Sequence, residues 1–407
     1  MDKKSNVNNV IVICDVATAN GGAANVAIQS AVGLSERGMN VVLFCAVGPI
    51  DQDLQKSKVK VICLNQNDIL SENNRLKAMV QGIWNTKAYV QLDYLLQQYD
   101  EKDTVIHSHV LIKALSPSVW SVLSKYQFKV FVTLHDFFLF CPNGGMYNYK
   151  KQYICSLYAS SFKCYRTNCD SRNFVHKIWR DVRQIVQSRV FSSIKNLSFI
   201  TISSLNKEIC YPYLQRYSNK WYNLQNPIEM VSHDYVDIPH NDAYLFVGRL
   251  AKEKGPDLFC EAITQLGLRG IVVGDGYMKE DLQKQYPNIM FTGWLTGEDK
   301  YKIVRKCKCF VFASKWYETF GLVVAEMKAM GVPSIVPEES AAAGQIKDSY
   351  NGLYFKIGNL DSLIRTISIF EKADLRTIQK NVIESYNYDE YSLDTHIRKL
   401  IDIYNYS

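Results

Sequence analysis

Two carboxylates and two cations stand out for the chemistry their spacing permits. Glu318 and Glu326 flank the turn Phe320-Gly321 in SKWYETFGLVVAEM, residues 314–327, and Arg249 and Lys254 lie in VGRLAKEKG, residues 247–255. A helix predicted to open at Phe320-Gly321-Leu322 leaves its first amides unpaired, and such amides bind anions. Arg249 offers a planar two-pronged donor, Lys254 a point charge, and Gly248 a backbone that a ligand can approach closely. This set can hold a diphosphate from two sides. Neither glutamate can touch phosphate without repulsion, so each is suited to neutral hydroxyls at its ends. Glu318 suits a sugar, and Glu326, within the first two helical turns, suits a ribose diol. The ordinary alternative is a solvated turn with surface cations and surface-helix glutamates.

Such residues need strands and turns to place them. NVIVICDV (9–16) and NVVLFCAV (40–47) read as buried strands joined by a glycine turn and a helix that stops at Gly38. TVIHSHV (104–110), KVFVTLHD (129–136) and LSFITISS (197–204) continue the pattern. The second half repeats it with AYLFVGRL (243–250), GIVVGDG (270–276), IMFTGW (289–294), CFVFAS (309–314) and VPSIVP (332–337). Val- and Ile-rich runs separated by helices predict parallel sheets covered on both faces. The expectation is α/β, two doubly wound Rossmann-like domains facing each other across a cleft, joined near residues 224–242. Leu393, Ile397, Leu400, Ile401 and Tyr404 share one face of a terminal helix, expected to cross back to the first domain.

At 407 residues the chain is too long for one core. A net charge of +7, from 47 basic and 40 acidic residues, permits anionic partners and demands none. No basic run is interleaved with aromatics, which argues against nucleic acid. No apolar run approaches the roughly 18 residues that span a bilayer. Asp15 interrupts the first apolar stretch, so a strand is expected there and not a signal peptide. Eleven cysteines without an export signal are expected to be thiols or metal ligands in a cytoplasmic protein.

The ordered set G-R-x(4)-K-G, V-G-D-G, F-x-G-W and E-x-F-G-L-V-x(2)-E-x(3)-M-G-V-P, within residues 243–335, resembles the retaining glycosyltransferase family 4. Gly21-Gly22, the histidines of HSH (107–109) and TLHD (133–136) extend the resemblance loosely through the first half. It implies the GT-B fold, with residues 1–226 as acceptor-binding domain, helix 388–407 packing back on it, and residues 227–387 as donor-binding domain. It implies that Arg249 and Lys254 bind the diphosphate, Glu326 the ribose and Glu318 the transferred sugar. The amides of Phe320, Gly321 and Leu322 would contact sugar or phosphate. Gly22 would close over the phosphates, and His109 would stand near the reacting centre.

The implied reaction moves a sugar from a UDP- or GDP-linked donor to a glycan or lipid-linked glycan hydroxyl, with retention and without a catalytic metal. Abundant Tyr, Lys, Asn and Ile point to an AT-rich bacterial genome, and the resemblance implies surface-polysaccharide synthesis there. The loop EESAAAGQIKDSYNG (338–352) departs from the family, having one glycine, Gly344, before Asp348. The alternatives are another GT-B enzyme such as a sugar-nucleotide epimerase, or a non-catalytic sugar-nucleotide-binding protein. A dinucleotide oxidoreductase would need a third glycine after VGDG and a later acid, both missing.

Two further segments invite ligands. Cys141, Cys155, Cys164 and Cys169 lie in one long insertion without a Cys-x-x-Cys pair; they are either unlinked thiols or a structural zinc set. FVHKIWRDVRQIVQSRVFSSIK (174–195) places Ile178, Val182, Ile185 and Val186 on one face beside five basic residues. It reads as a domain helix with a solvated basic side, or as an attachment to an anionic membrane at the inner face of the cell.

Overall fold

The structure, a computed structural model, describes residues 7–19, 21–110, 113–228 and 234–406. These form two compact units, residues 7–145, 157–227 and 389–406 in the first, 146–156 and 228–388 in the second. Of the joint expected over residues 224–242, residues 229–233 lie outside the described residues.

The first stretch of chain carries β1 (Asn9–Cys14), β2 (Asn40–Cys45), β3 (Lys60–Cys63), β4 (Thr104–Val110) and β5 (Lys129–Thr133). A small hairpin, β6 (Tyr147–Asn148) and β7 (Tyr153–Ile154), belongs to the second unit. The first unit resumes with β8 (Leu197–Thr201) and β9 (Trp221–Asn223). Its sheet is parallel throughout, in the order β3-β2-β1-β4-β5-β8-β9. Val10, Ile11, Val12, Ile13 and Cys14 are all fully buried, as a strand covered by helices on both faces requires.

The helix Leu393–Tyr406 completes this core. Ile397, Leu400 and Tyr404 join the cluster of β1, β2 and the helix Gly22–Glu36. Gly33 is the point of entry: a Cβ there would meet Ile397 Cγ1 at 2.7 Å.

The second unit builds β10 (Ala243–Val247), β11 (Arg269–Val273), β12 (Met290–Gly293), β13 (Cys307–Val311), β14 (Ser334–Pro337) and β15 (Gly352–Phe355). This sheet is also parallel, in the order β12-β11-β10-β13-β14-β15. In each sheet the chain winds outward from a central strand, then returns to its other side. The order therefore reverses between β1 and β4, and between β10 and β13. Beyond the carboxyl ends of such strand pairs the connections diverge and leave a crevice, where ligands of doubly wound sheets bind.

The helix Phe174–Phe191 departs from expectation. Its polar residues Lys177, Asp181, Arg183, Gln184 and Gln187 are the buried ones, whereas Val175, Ile178, Val182 and Ile185 are exposed. Of the basic side anticipated for it, Arg189 and Lys195 are exposed, whereas Lys177 and Arg183 turn inward to buried partners. Lys177 pairs with Asp181 at 2.5 Å, Arg183 Nε donates to Gly82 O, and Gln184 and Gln187 donate to Leu139 O and Phe138 O. Among the described residues no helix is long and apolar enough to cross a membrane.

Candidate active site

The second unit's reversal point gathers most of the charged residues singled out in the sequence. Gly248 and Arg249 directly follow β10, and Lys254 ends the short turn Lys252–Lys254. Glu318 lies in the connection after β13, the neighbouring strand. Gly255 lets these two connections meet. Its φ is +69°, and a Cβ would come within 2.0 Å of Ala313 O, so any side chain would force them apart.

Contact follows from that proximity. Lys254 Nζ pairs with Glu318 Oε1 at 2.6 Å, and Ser314 Oγ and Trp316 Nε1 donate to the same oxygen at 3.0 and 2.9 Å. The ammonium also lies 5.0 Å from the Trp316 ring centroid, in cation–π range. The Glu318 side chain is only 13% exposed. Burial pushes its carboxyl up, but the Lys254 charge and the Trp316 and Ser314 donors outweigh it. The group is held below the usual glutamate range. It is thus an anion at neutral pH, able to accept from hydroxyls.

Arg249 is placed differently. Its Nη2 pairs with Glu253 Oε1 at 2.9 Å, but 59% of its side chain is exposed against 7% for Glu253. One guanidinium edge is tied down and the rest faces solvent, where it can still form a fork with phosphate oxygens.

The helix expected after Phe320 begins at Leu322 and runs to Ala329. Gly321 is its N-cap with φ +88°, and no side chain caps the first turn. A Cβ at Gly321 would meet Ala342 Cβ at 2.9 Å. Gln345 Nε2 fixes the turn from the opposite loop, donating to Phe320 O at 2.6 Å. Glu326 lies on this helix and pairs with Lys300 Nζ at 2.8 Å. Arg249, Lys254, Glu318 and Glu326 therefore all carry opposite-charge partners, two of them each other.

Glu253, Lys300, Ser314, Trp316 and Gln345 were not foreseen. Ser314 and Trp316 could have been read from their closeness to Glu318 within the same short stretch. Lys300 stands 26 positions before Glu326, a separation that no helical or strand repeat predicts.

The first unit's reversal point holds a different group. His109, near the end of β4, is buried, and its Nδ1 lies 3.0 Å from His135 Nε2. His107 bridges Tyr404 at 2.6 Å and Thr133 at 2.7 Å. Burial, reinforced by neighbouring histidines, lowers all three rings, His107 and His135 to about 3 and His109 well below its ordinary value. They are neutral at pH 7. His109 Nε2 is buried without a partner among the described residues, beside a cavity of about 30 Å³ lined by Ser108, Trp120, Thr133, His135 and Gln187. Gly22 opens the helix Gly22–Glu36, whose start also lacks a side-chain cap.

The four insertion cysteines do not assemble a metal site. Among the described residues, no three His, Cys, Asp or Glu side chains gather to hold an ion. Cys141 Sγ donates to Asn143 Oδ1, and Asn143 Nδ2 donates to Cys169 Sγ, so an amide joins the two sulfurs. Cys155 lies just past β7, its amide donating to Met146 O. The set Cys141, Cys155, Cys164 and Cys169, expected as thiols or as a structural zinc set, is not gathered into one cluster among the described residues.

Comparison with known proteins bears on the fold and on the second unit's family. Residues 237–387 match the family model described as glycosyl transferases group 1. A GDP-mannose-dependent alpha-mannosyltransferase of Corynebacterium glutamicum is 34% identical over 112 residues, which are 28% of this chain and 27% of that protein. A glycosyltransferase structure from Rickettsia africae superimposes with a TM-score of 0.65 at 18% identity, over 98% of each chain. Anabaena Alr3699/HepE in complex with UDP and glucose gives 0.64 at 15%, covering 97% and 98%. At that identity the likeness speaks for the fold alone. Residues 237–387 thus resemble the glycosyl transferases group 1 family, and the two units have the GT-B fold of the matched structures.

Proposed function

We propose that the chain is a retaining glycosyltransferase of family 4. It would act in the cytoplasm, moving a sugar from a UDP- or GDP-linked donor to a glycan or lipid-linked glycan in surface-polysaccharide synthesis. The observation that carries this reading is the ionised, largely enclosed Glu318 held by Lys254 at the reversal point of the second sheet. The group 1 match covers the same residues. The Corynebacterium relative is named for GDP-mannose and the Anabaena structure holds UDP, so both nucleotides are candidates.

In the proposed reaction the bond between the anomeric carbon and the phosphate oxygen breaks, and its electron pair leaves with the nucleoside diphosphate. Lys254, Arg249 and the uncapped helix start at Leu322 stabilise the charge that develops on phosphate. These fixed positive groups stand where a divalent metal would otherwise serve. The acceptor hydroxyl forms the new bond on the same face and gives its proton to the departing phosphate. Glu318 Oε2 accepts from a sugar hydroxyl, and Glu326, shared with Lys300, accepts from the ribose. His109, neutral and buried, is a positioning group for the acceptor side.

Thermal shift with UDP, GDP and NAD tests the reading, followed by turnover of UDP-glucose, UDP-galactose and GDP-mannose with and without sugar acceptors. Stabilisation by a nucleoside diphosphate and acceptor-dependent release of it are expected. Stabilisation by NAD alone, or donor isomerised without acceptor, would replace this reading with a dehydrogenase or an epimerase.

A further inference from the structure

Three thiols line up across one face of the first sheet. Cys14 ends β1, Cys45 ends β2 and Cys63 ends β3. Cys14 and Cys45 lie in the core on the side of the helix Gly22–Glu36, and Cys63 packs against it. The parallel register of β2 and β3 sets Cys45 directly beside Cys63. Neighbouring strands lie about 4.8 Å apart, and a disulfide spans Cα atoms roughly 4.4–6.8 Å apart, so a bridge needs no displacement of either strand. The two sulfurs already interact. Burial, then the charge and hydrogen bond of the Cys63 sulfur, push the Cys45 thiol far above its ordinary value. Cys45 Sγ also reaches Ile62 O at 3.8 Å, which holds it against β3.

Access separates the three thiols. Cys14 and Cys45 are fully buried, whereas Cys63 is half-buried beside the turn after β2, where a Cβ at Gly48 would stand 3.8 Å from its sulfur. Oxidants therefore reach Cys63 first, and Cys45 stands ready to capture the product before it oxidises further. A bridge between them closes residues 45–63 into a loop. That loop is hydrogen-bonded to the connection leading to Gly22. Ala17 N donates to Val47 O at 2.9 Å, Asp51 N to Ala17 O at 2.8 Å, and Thr18 Oγ1 to Pro49 O.

We propose that Cys45 and Cys63 form a redox-modification site, a dithiol that peroxides close to a disulfide. The inference does not rest on sugar transfer. Where glutathione or thioredoxin keeps thiols reduced, the pair rests open. The Cys63 sulfur, in its thiolate form, attacks one oxygen of hydrogen peroxide. An S–O bond forms, the O–O bond breaks, and hydroxide leaves to take up a proton as water. The Cys45 sulfur then attacks the sulfenic sulfur of Cys63. The S–S bond forms, the S–O bond breaks, and the hydroxyl departs with the Cys45 proton as a second water. The two thiols have given up two electrons, and the peroxide has taken them. Closure fastens β3, a sheet edge, to β2 and stiffens the turn after β2 together with residues 17 and 18.

The test treats the full chain, freed of reductant, with hydrogen peroxide, blocks the remaining thiols with iodoacetamide and maps peptides without reduction. A Cys45–Cys63 linkage is expected, short by two hydrogens and lost on adding dithiothreitol. Oxidation should raise the thermal midpoint by roughly 5 °C or more. Cys63→Ser should abolish both the linkage and the rise, and Cys14→Ser should leave both. In Cys45→Ser, where nothing captures it, the Cys63 sulfenic acid should become trappable by dimedone. Linkage of either residue to Cys14, oxidation confined to other thiols, or a midpoint that the Cys45–Cys63 linkage does not raise overturns the proposal. Should Cys45→Ser fail to fold, wild type against Cys63→Ser decides alone, because position 63 is half-buried.

Discussion

The two reversal points share a topology and differ in electrostatics. In the second unit, Lys254, Glu318, Arg249 and Glu253 form ion pairs, with Arg249 largely in solvent. In the first unit, His107 and His109 are buried and His135 half-buried, all neutral; His109 bonds to His135, and His107 to Thr133 and Tyr404. A charged ligand end calls for preset charges, which cost less to hold where water still reaches them. A hydroxyl calls for neutral donors and acceptors, and burial supplies those by suppressing the proton on imidazole. The same strand order thus serves opposite polarities because side-chain identity, not topology, sets the field at the crevice.

Four measurements would break or sharpen that contrast. The largest expected effect is from Lys254→Ala, which leaves Glu318 enclosed without its cation. A loss of about 3 kcal/mol in stability is expected from denaturant unfolding, with donor turnover lost as well. Adding Glu318→Gln should restore most of the stability and none of the turnover. If Lys254→Ala unfolds at the wild-type midpoint, the pair is not the anchor described here.

Arg249→Ala comes next, with turnover reduced about 100-fold. Because Glu253 is buried, about 1 kcal/mol of stability should go with it. Arg249→Lys keeps the pair and should regain that stability, while its lost fork leaves turnover well below wild type. Equal turnover in wild type and Arg249→Ala would remove Arg249 from the site.

Acid separates the units by window. A histidine whose folded value is lowered leaves stability intact above its ordinary value near 6.5 and erodes it as pH falls towards the folded value, about 3 for His107 and His135. Glu318, also lowered, contributes above its ordinary value of 4.5 and loses that contribution only below it. At pH 5.5 the first unit should therefore weaken by about 1.4 kcal/mol for each buried histidine, while the Glu318 pair is unaffected. Hydrogen exchange at pH 7.5 and 5.5 should show β4 and β5 opening before β10 and β13. His135→Gln should flatten this trend by one histidine's share. Uniform exchange in both sheets would erase the distinction.

The smallest effect belongs to Glu326→Gln. Loss of charge opposite Lys300 should raise the KM for nucleotide sugar about fivefold, with kcat little changed, a ground-state binding effect.

Much of the architecture is legible in the sequence, and the misses share a cause. The central strands β1, β2, β4, β5, β8, β10, β11 and β13 read as apolar runs because helices bury both their faces. The strands passed over are the sheet edges β3, β9 and β15 and the short hairpin β6-β7. Lys60 and Asn223 are exposed, and an edge needs only one bonded side, so no long apolar run announces it. The charged residues were legible because an aromatic-glycine turn and a post-strand basic loop limit where they can go. Their partners were not: Lys300 meets Glu326, and Gln345 meets Phe320, through tertiary contact alone. Helical periodicity identified the apolar face of Phe174–Phe191 but could not say which way it turns. That depended on backbone carbonyls of Gly82, Phe138 and Leu139, which accept from its polar side.

The helix Leu393–Tyr406 imposes an order on synthesis. Tyr404 fills the core beneath β1, β4 and β5 and holds His107, and Asn405 accepts from the amide of Val7. The core of β1 and β2 cannot close until residues nearly four hundred positions further on have been made. The usual advantage of folding amino-terminal segments first is denied to this unit. A nascent chain stalled before residue 393 should expose the Gly22–Glu36 helix flank to chaperones and leave His107 without Tyr404.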